Sequence, residues 1–556
     1  LVEAEVEARQ VVRDAIALGG KKSYHTYAAV QSLGEILLSQ RRLEDAQKLF
    51  NFVVTTMVNI GISEDSYDLS QARIALGDAL AAGGNFNAAM GQYKRSREAL
   101  VKNRFIYTSI YERNPQVIYS HIMTGNFNEA LALIDRAYQR LTEILTPDNE
   151  QVVELLAMRG LVYAKQGNIE GAYQAFSDSV PLFLAMERDG KDFKARKRWD
   201  SMLVAYADVC AQLRGTPLEK AFGIDASEKA LMIVEILGGG TVRSAIGASG
   251  ARAAATNPDL ADLVRKEQDA LKQIRALETI LLELLAMRDS QENKNIIELK
   301  TAIDNLEQAR SILLDEIEIR FPKYAEFVSP KPLGFDTIRR HLKPGESMLI
   351  IYPGENFTYI WVIPSSGIVH FERAPVGKAH LQQLVAALRQ SLTPDVKVLG
   401  DIKDFDLNAG WKLYSQLLKP VEAGWKNIKD LLVIAYQPLD QLPFSLLPTE
   451  AITLPEEKDI LFSNYRKVPW LIREFSITQL PSASSVVTLR SLPPGDVDRK
   501  AFIGFGDPIF NSKQLAQIEK EIETSTTKPA IRGVKFQIRG IRVSEDGDLD
   551  RNDIVS

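Results

Sequence analysis

The chain has 556 residues, 45% hydrophobic and 25% charged, the ordinary mixture of a folded protein and not that of a collagenous, mucin-like or disordered one. At about 100–200 residues per domain this length predicts two to four domains. Lysine and arginine total 67 against 72 aspartate and glutamate, a net charge of −5, so the global attraction that draws proteins to polyanions is missing. A single cysteine, Cys210, excludes an intramolecular disulfide and any zinc site built on two thiolates. No run reaches the ~18–20 apolar residues of a membrane-spanning helix, so no membrane partner is expected. The compartment is left open, with a reducing cytoplasm favoured only by the cysteine usage.

Only five of the 24 prolines lie before residue 321, the distribution expected where long helices give way to strands and turns. The first part repeats. Leu33-Gly34, Leu76-Gly77, Ile118 and Gly160 each stand before an alanine (Ala46, Ala89, Ala130, Ala172), itself followed by Phe50, Tyr93, Ile134 or Phe176. The alanines recur at spacings of 43, 41 and 42 residues, and three units carry a turn glycine (Gly84, Gly125, Gly167) five residues earlier. Small residues let two antiparallel helices approach to about 8–10 Å while the larger residue fills the groove. Each unit therefore predicts a helical hairpin, and hairpins that cannot bury their apolar stripes alone stack into a solenoid. The pattern resembles the tetratricopeptide repeat in its long-helix version.

Residues 1–256 are expected to form this all-α solenoid, with Ala205-Tyr206 and Ala226 to Leu237 as a degenerate last unit. Residues 257–320 predict an antiparallel hairpin, with Ala270, Ile274, Leu277, Leu281 and Leu284 on one helix and Leu299, Ile303 and Leu306 on the other, acting as a rigid spacer. Asp289 to Asn295 is the expected turn between them.

From 321 the chain reads as α/β. Met348–Tyr352, Tyr359–Ile363 and Ile368–Phe371 predict a three-stranded meander; helices follow from Lys378 to Leu392 and from Asn408 to about Leu418. Leu431 to Tyr436 has the continuous apolar character of a strand covered on both faces, and Phe502 to Pro508 predicts another.

Asp430–Ile434 followed by Pro438-Leu439-Asp440-Gln441-Leu442-Pro443-Phe444-Ser445-Leu446-Leu447 resembles a segment of the caspase-like CHAT domain, which occurs with tetratricopeptide repeats. Phe321–Tyr324, Leu342–Glu346, Arg473–Ile477, Pro481–Ser484 and Gly504–Pro508 follow that family's landmarks in order. The resemblance implies a solenoid joined to the N-terminal part of a caspase-like α/β domain over 321–556. It also implies a cysteine endopeptidase in which a partner on the concave repeat surface is sensed by the peptidase. In that family a histidine precede-and-assist arrangement uses an Ala-Thr-His-Gly-like and then a Ser-Ala-Cys-like segment, and neither is present. The resemblance thus implies a chain that stops before its catalytic subdomain and is itself inactive; the alternative is a non-catalytic scaffold that binds a protein or peptide.

No residue is assigned to catalysis, cofactor or metal. The histidines are His25, His121, His341, His370 and His380, and Cys210 precedes the last three, so Cys210 reads as a small buried apolar residue. Gly504-Phe505-Gly506 lacks the third glycine of a dinucleotide turn and reads as a structural turn. Asp546, Asp548 and Asp550 have Arg551 where a calcium loop needs glycine, and read as a solvated linker. Glu316 and Glu318 sit among Arg310 and Arg320 as exposed helix charge. Lys191, Lys194, Arg196, Lys197 and Arg198 are diluted by Asp189, Asp192 and Asp200, so direct nucleic-acid binding is not expected.

Overall fold

A computed structural model describes residues 2–103, 106–186, 193–238, 258–286, 293–321, 333–392, 404–426, 428–454 and 463–491. The strand expected at Phe502–Pro508, the Asp546–Asp550 run, the part Asp289–Glu292 of the turn expected over Asp289–Asn295 and the junction Pro322–Tyr324 lie outside the described residues, while Asn293–Asn295 open a helix instead of closing that turn. The fold is mostly helical, with a small mixed sheet in the C-terminal part.

The helices α1 Val2–Gly19, α2 Tyr24–Ser39, α3 Leu43–Asn59, α4 Tyr67–Ala82 and α5 Phe86–Leu100 pack in consecutive pairs. They continue through α6 Pro115–Met123, α7 Phe127–Thr142, α8 Glu150–Lys165, α9 Ile169–Met186 and α10 Phe193–Leu213. The short α11 Pro217–Phe222 and then α12 Ala226–Gly238 close the series. Side-chain oxygens cap several starts: Ser66 accepts from Leu69 N–H, Asn85 from Ala88 N–H and Asn114 from the N–H groups of Gln116 and Val117, satisfying donors that have no partner within the helix.

The turns share one backbone solution. Asn85 N–H donates to Leu80 O, Asn126 N–H to His121 O and Asn168 N–H to Tyr163 O, each at 2.9 Å, the long bond of a Schellman end. The preceding Gly84, Gly125 and Gly167 are left-handed, with φ of 87°, 78° and 77°. Arg42 N–H to Leu37 O, also 2.9 Å, makes the same turn in the first unit, where the left-handed residue is Arg41 at φ 66°. Cβ contacts disfavour that conformation in any residue but glycine. Replacing Arg41 by glycine is expected to raise stability by about 0.5–1 kcal/mol. The check is a urea midpoint that moves up at unchanged slope; an unmoved midpoint would mean the turn is unstrained.

The small residues do what their spacing predicts. A β-carbon on Gly34, Gly77 or Gly160 would stand 2.7, 2.5 or 2.9 Å from the ring of Phe50, Tyr93 or Phe176, closer than packed carbons tolerate. The unit lacking the ring also lacks the glycine: Ile118 and Ile134 are both fully buried in its place.

Helices α13 Pro258–Ala286 and α14 Asn293–Arg320 form an antiparallel hairpin, with Leu260 and Leu263 against Ile317 and Ile274 against Ile303. Ile274 and Ile303 also meet Ile144 and Leu145 beyond α7, so the hairpin packs on the repeats.

The sheet follows α15 Phe335–Arg340. It comprises β1 Glu346–Pro353, β2 Thr358–Pro364, β3 His370–Ala374, β4 Asp430–Ala435 and β5 Ser476–Gln479 in the order β3-β2-β1-β4-β5. The β3-β2-β1 meander is antiparallel, whereas β1, β4 and β5 run parallel. Exposed Ile368 precedes β3, which starts two residues later than its sequence predicts. Alternation assigns the faces. Leu349, Ile351, Ile360, Val362, Leu431 and Val433 pack under α16 Lys378–Leu392 and α17 Leu407–Leu413. Met348, Ile350, Trp361, Ile363, Leu432 and Ile434 face the other way, into one core with Ala230, Leu231 and Val234 of α12.

This corrects the spacer expectation. The repeats touch the sheet directly, because Ala230, Leu231, Ile233, Val234 and Ile236 make α12 apolar around most of its circumference, and a helix of that kind needs cover on both sides. The last described helix, α18 Ala483–Ser491, is tied to β1 by the bidentate pair of Arg490 with buried Glu346.

Candidate functional site

Cys210 lies on α10 with none of its surface exposed. Burial pushes the thiol pKa well up, opposed only in part by Lys229, so the reactive thiolate is suppressed. Tyr173 and Tyr206 are its electrostatic neighbours. The imidazoles stand on other elements. His25 and His380 are exposed; His341 Nδ1 is 2.8 Å from Thr337 O; His370 opens β3. His121 is buried in α6, with Nε2 at 3.4 Å from the Tyr111 hydroxyl, and burial holds its pKa below the ordinary histidine value. Cys210 is thus a core thiol. A thiol dye is expected to leave the native chain unlabelled over the interval in which it fully labels the urea-unfolded chain; rapid native labelling would contradict this packing.

Among the described residues, two assemblies of polar side chains meet on the last repeat. The first lies along the helices that open each hairpin. Arg198 of α10, 6% exposed, donates from Nε to Glu154 Oε1 at 2.8 Å and from Nη1 to Gln116 Oε1 at 2.9 Å. Lys197 Nζ donates to Ala82 O at 2.7 Å, and α10 also touches α2. The first turns of α10 therefore reach α4, α6 and α8 in a single stretch. The basic run turns two of its members, Lys197 and Arg198, inward, and Arg198, Met202 and Tyr206 follow four-residue spacing on the buried stripe.

The second assembly joins the repeats to the sheet. Asp208 of α10 accepts from the Tyr359 hydroxyl at 2.7 Å and from Arg373 Nε at 2.8 Å, while the Arg373 guanidinium lies 3.4 Å from the Phe357 ring centre. Trp361 Nε1 donates to Ser227 O at 2.9 Å, Phe335 N–H to Glu228 Oε1 at 2.6 Å, and the Tyr436 hydroxyl to Glu235 Oε1 at 2.9 Å. Arg214 donates to Phe371 O. Burial first, then the adjoining carboxylate, pushes the Tyr359 and Tyr436 phenols above their ordinary pKa, so both stay protonated donors.

Tyr352 and Tyr436 stand at the carboxyl ends of parallel strands β1 and β4, edge to face at 5.4 Å. The peptide after Tyr436, Gln437–Pro438, is cis. Carboxyl ends of parallel strands are where open α/β sheets hold their ligands, and here helix α12 covers that end through Glu235. Among the described residues no group of three or more His, Cys, Asp or Glu side chains is placed to hold a metal, and no helix is long and apolar enough to cross a membrane. The arrangement holds surfaces together through donors and acceptors; it presents no activated nucleophile among the groups described. Sequence reading missed Asp208 and Glu235, though each is a charge set in an apolar helical stretch, and it named Arg198 only as part of a basic run.

No family model matches the chain, and no curated protein matches it. Two crystal structures of kinesin light chain nearly identical TPR-like repeats from Podosopora anserina are similar. One has 15% identity, a TM-score of 0.28 and coverage of 34% of this chain and 88% of that one. The other has 14% identity, a TM-score of 0.27 and coverage of 33% and 90%. At that level of superposition the likeness adds nothing to the helical hairpins described above, which define the repeats by their own turns and notches.

Proposed function

We propose that this chain is a protein-interaction scaffold in which tetratricopeptide-type repeats take a protein or peptide partner and the α/β part registers its arrival. The observation that carries this reading is the double use of α10 and α12. They are the last hairpin of the repeats and also one layer over the sheet, so displacement of one surface strains the other. The inner turns of α10 are already seated on α4, α6 and α8, so a partner on the concave side lies beside these turns or displaces them.

The finer form of the proposal is a repeat-regulated member of the CHAT class, whose complete enzymes resemble caspase-like cysteine endopeptidases. Its support is the Pro438–Leu447 segment after β4 and the Arg473–Ile477 segment entering β5. The single thiol is packed away, so these 556 residues are not expected to cleave peptides.

The test is hydrogen exchange on the whole chain with a helical peptide selected for binding to it, alongside a fluorogenic peptide library. Slowed exchange on the repeats accompanied by altered exchange on β1 and β4 supports coupling. A bound peptide that leaves the sheet untouched overturns coupling, and turnover of the library overturns the inactive assignment.

A further inference from the structure

A cluster of arginines on the third hairpin is used by neither assembly. Tyr107–Glu112, between α5 and α6, forms a π-helical turn, a geometry that recurs at functional sites. It points Glu112 inward, 3% exposed, where Arg136 and Arg140 of α7 both donate to its carboxylate. Arg140 also donates to Thr108 Oγ1 at 2.8 Å. Arg113 follows directly, half-buried, and its Nε is buried with no hydrogen-bond partner. Burial and the neighbouring Arg140 cation hold the Arg113 pKa below the guanidinium range, with Glu112 in opposition.

Two guanidinium groups thus share one carboxylate, and a third, that of Arg113, lies close enough to feel both Arg140 and Glu112 without an ion pair of its own. The nearby acids are engaged elsewhere or turned out: Glu129 pairs with Arg97, Asp135 with Arg159, and Glu143 is exposed beyond Arg140. Arg136 and Arg140 remain 42% and 30% exposed, so their outer N–H groups are open to a ligand.

We propose that Arg113, Arg136 and Arg140, with the Thr108 hydroxyl, bind a phosphate monoester carried on a protein partner. The charge decides the class. A phosphate monoester brings about −1.5 to −2 at neutral pH and three acceptor oxygens, matching the unneutralised excess, whereas one carboxylate leaves half of it. Planar guanidinium forks suit that oxyanion. A nucleic-acid strand needs a continued stripe of cations, and here Glu129, Asp135 and Glu143 flank the cluster. The inference goes beyond the scaffold reading and does not depend on how the repeats couple to the sheet.

The test is fluorescence anisotropy on the whole chain with a labelled phosphoserine peptide, its unphosphorylated twin, and inorganic phosphate as competitor. The phosphopeptide is expected to bind, to weaken with added salt, and to lose about tenfold or more in affinity in Arg113→Gln. That variant is expected to keep its melting temperature because the buried Arg113 Nε has no hydrogen bond to lose, and Arg113→Lys recovers part of the binding. Equal binding of both peptides, or unchanged affinity in Arg113→Gln, overturns the site. Inorganic phosphate competing as well as the phosphopeptide overturns the protein-borne source. Hydrogen exchange at β1 and β4 reads the scaffold proposal separately.

Discussion

Replacing Trp361 with alanine is expected to cost about 3–5 kcal/mol and to split the melting of the repeats from that of the sheet. Trp361 is fully buried at the centre of β2, its ring 5.1 Å from Phe371, its indole N–H on Ser227 O. Truncation opens a cavity that neither the rigid sheet nor α12 collapses into, and it removes the donor from a carbonyl inside the joint. Trp361→Phe isolates the second loss: the ring volume is largely kept and the hydrogen bond is gone, for about 1 kcal/mol. Differential scanning calorimetry distinguishes the outcomes. Two separated transitions in Trp361→Ala, against closely coupled melting in the parent, support one continuous core. A single transition lowered as a whole would place the coupling elsewhere, on Asp208 or Glu235. Because a chain of this size need not unfold in one step, the separation of transitions is the readout and not one midpoint.

The repeats were legible because their determinants are local. A glycine, the asparagine after it and an alanine five residues on lie within one turn of chain, and the ring that enters each glycine notch is sixteen positions downstream. The first unit hid its turn because Arg41 gives no sequence sign of a left-handed backbone. The strands β1, β2 and β4 could be read because both their faces are apolar, the mark of a covered sheet. What covered the inner face could not be read. Tyr359 and Asp208 are 151 positions apart, and Tyr436 and Glu235 are 201 apart, so no periodicity relates them. The isolated carboxylates within apolar helices were the available signal, since a charge on a buried stripe has to find a partner. That signal points to burial without naming the partner. The apolar circumference of α12 was a second sign that the hairpin α13–α14 does not hold the repeats and the sheet apart.

Arg198→Ala is expected to destabilise the repeats by about 3–5 kcal/mol, the range for removing one partner of a buried ion pair. The two side chains are 8% and 9% exposed, so Glu154 is left charged without a guanidinium, and Gln116 Oε1 loses its donor as well. The pair itself need not be favourable: desolvating two charges offsets much of their attraction, and a well-packed apolar substitute of similar volume is often neutral or better. The double variant Arg198→Met with Glu154→Leu is therefore expected to recover most of the loss, and urea denaturation of the four members of the cycle gives the coupling directly. If Arg198→Ala costs under about 1 kcal/mol, water reaches Glu154 and the first turns of α10 lie loosely on α6 and α8. If instead the single variant is costly and the double is restored, the ion pair acts as a positional lock. Removing it while keeping stability then makes the inner face a direct test object, because a partner that displaces α10 should bind the double variant with altered affinity while Lys197 still holds Ala82 O.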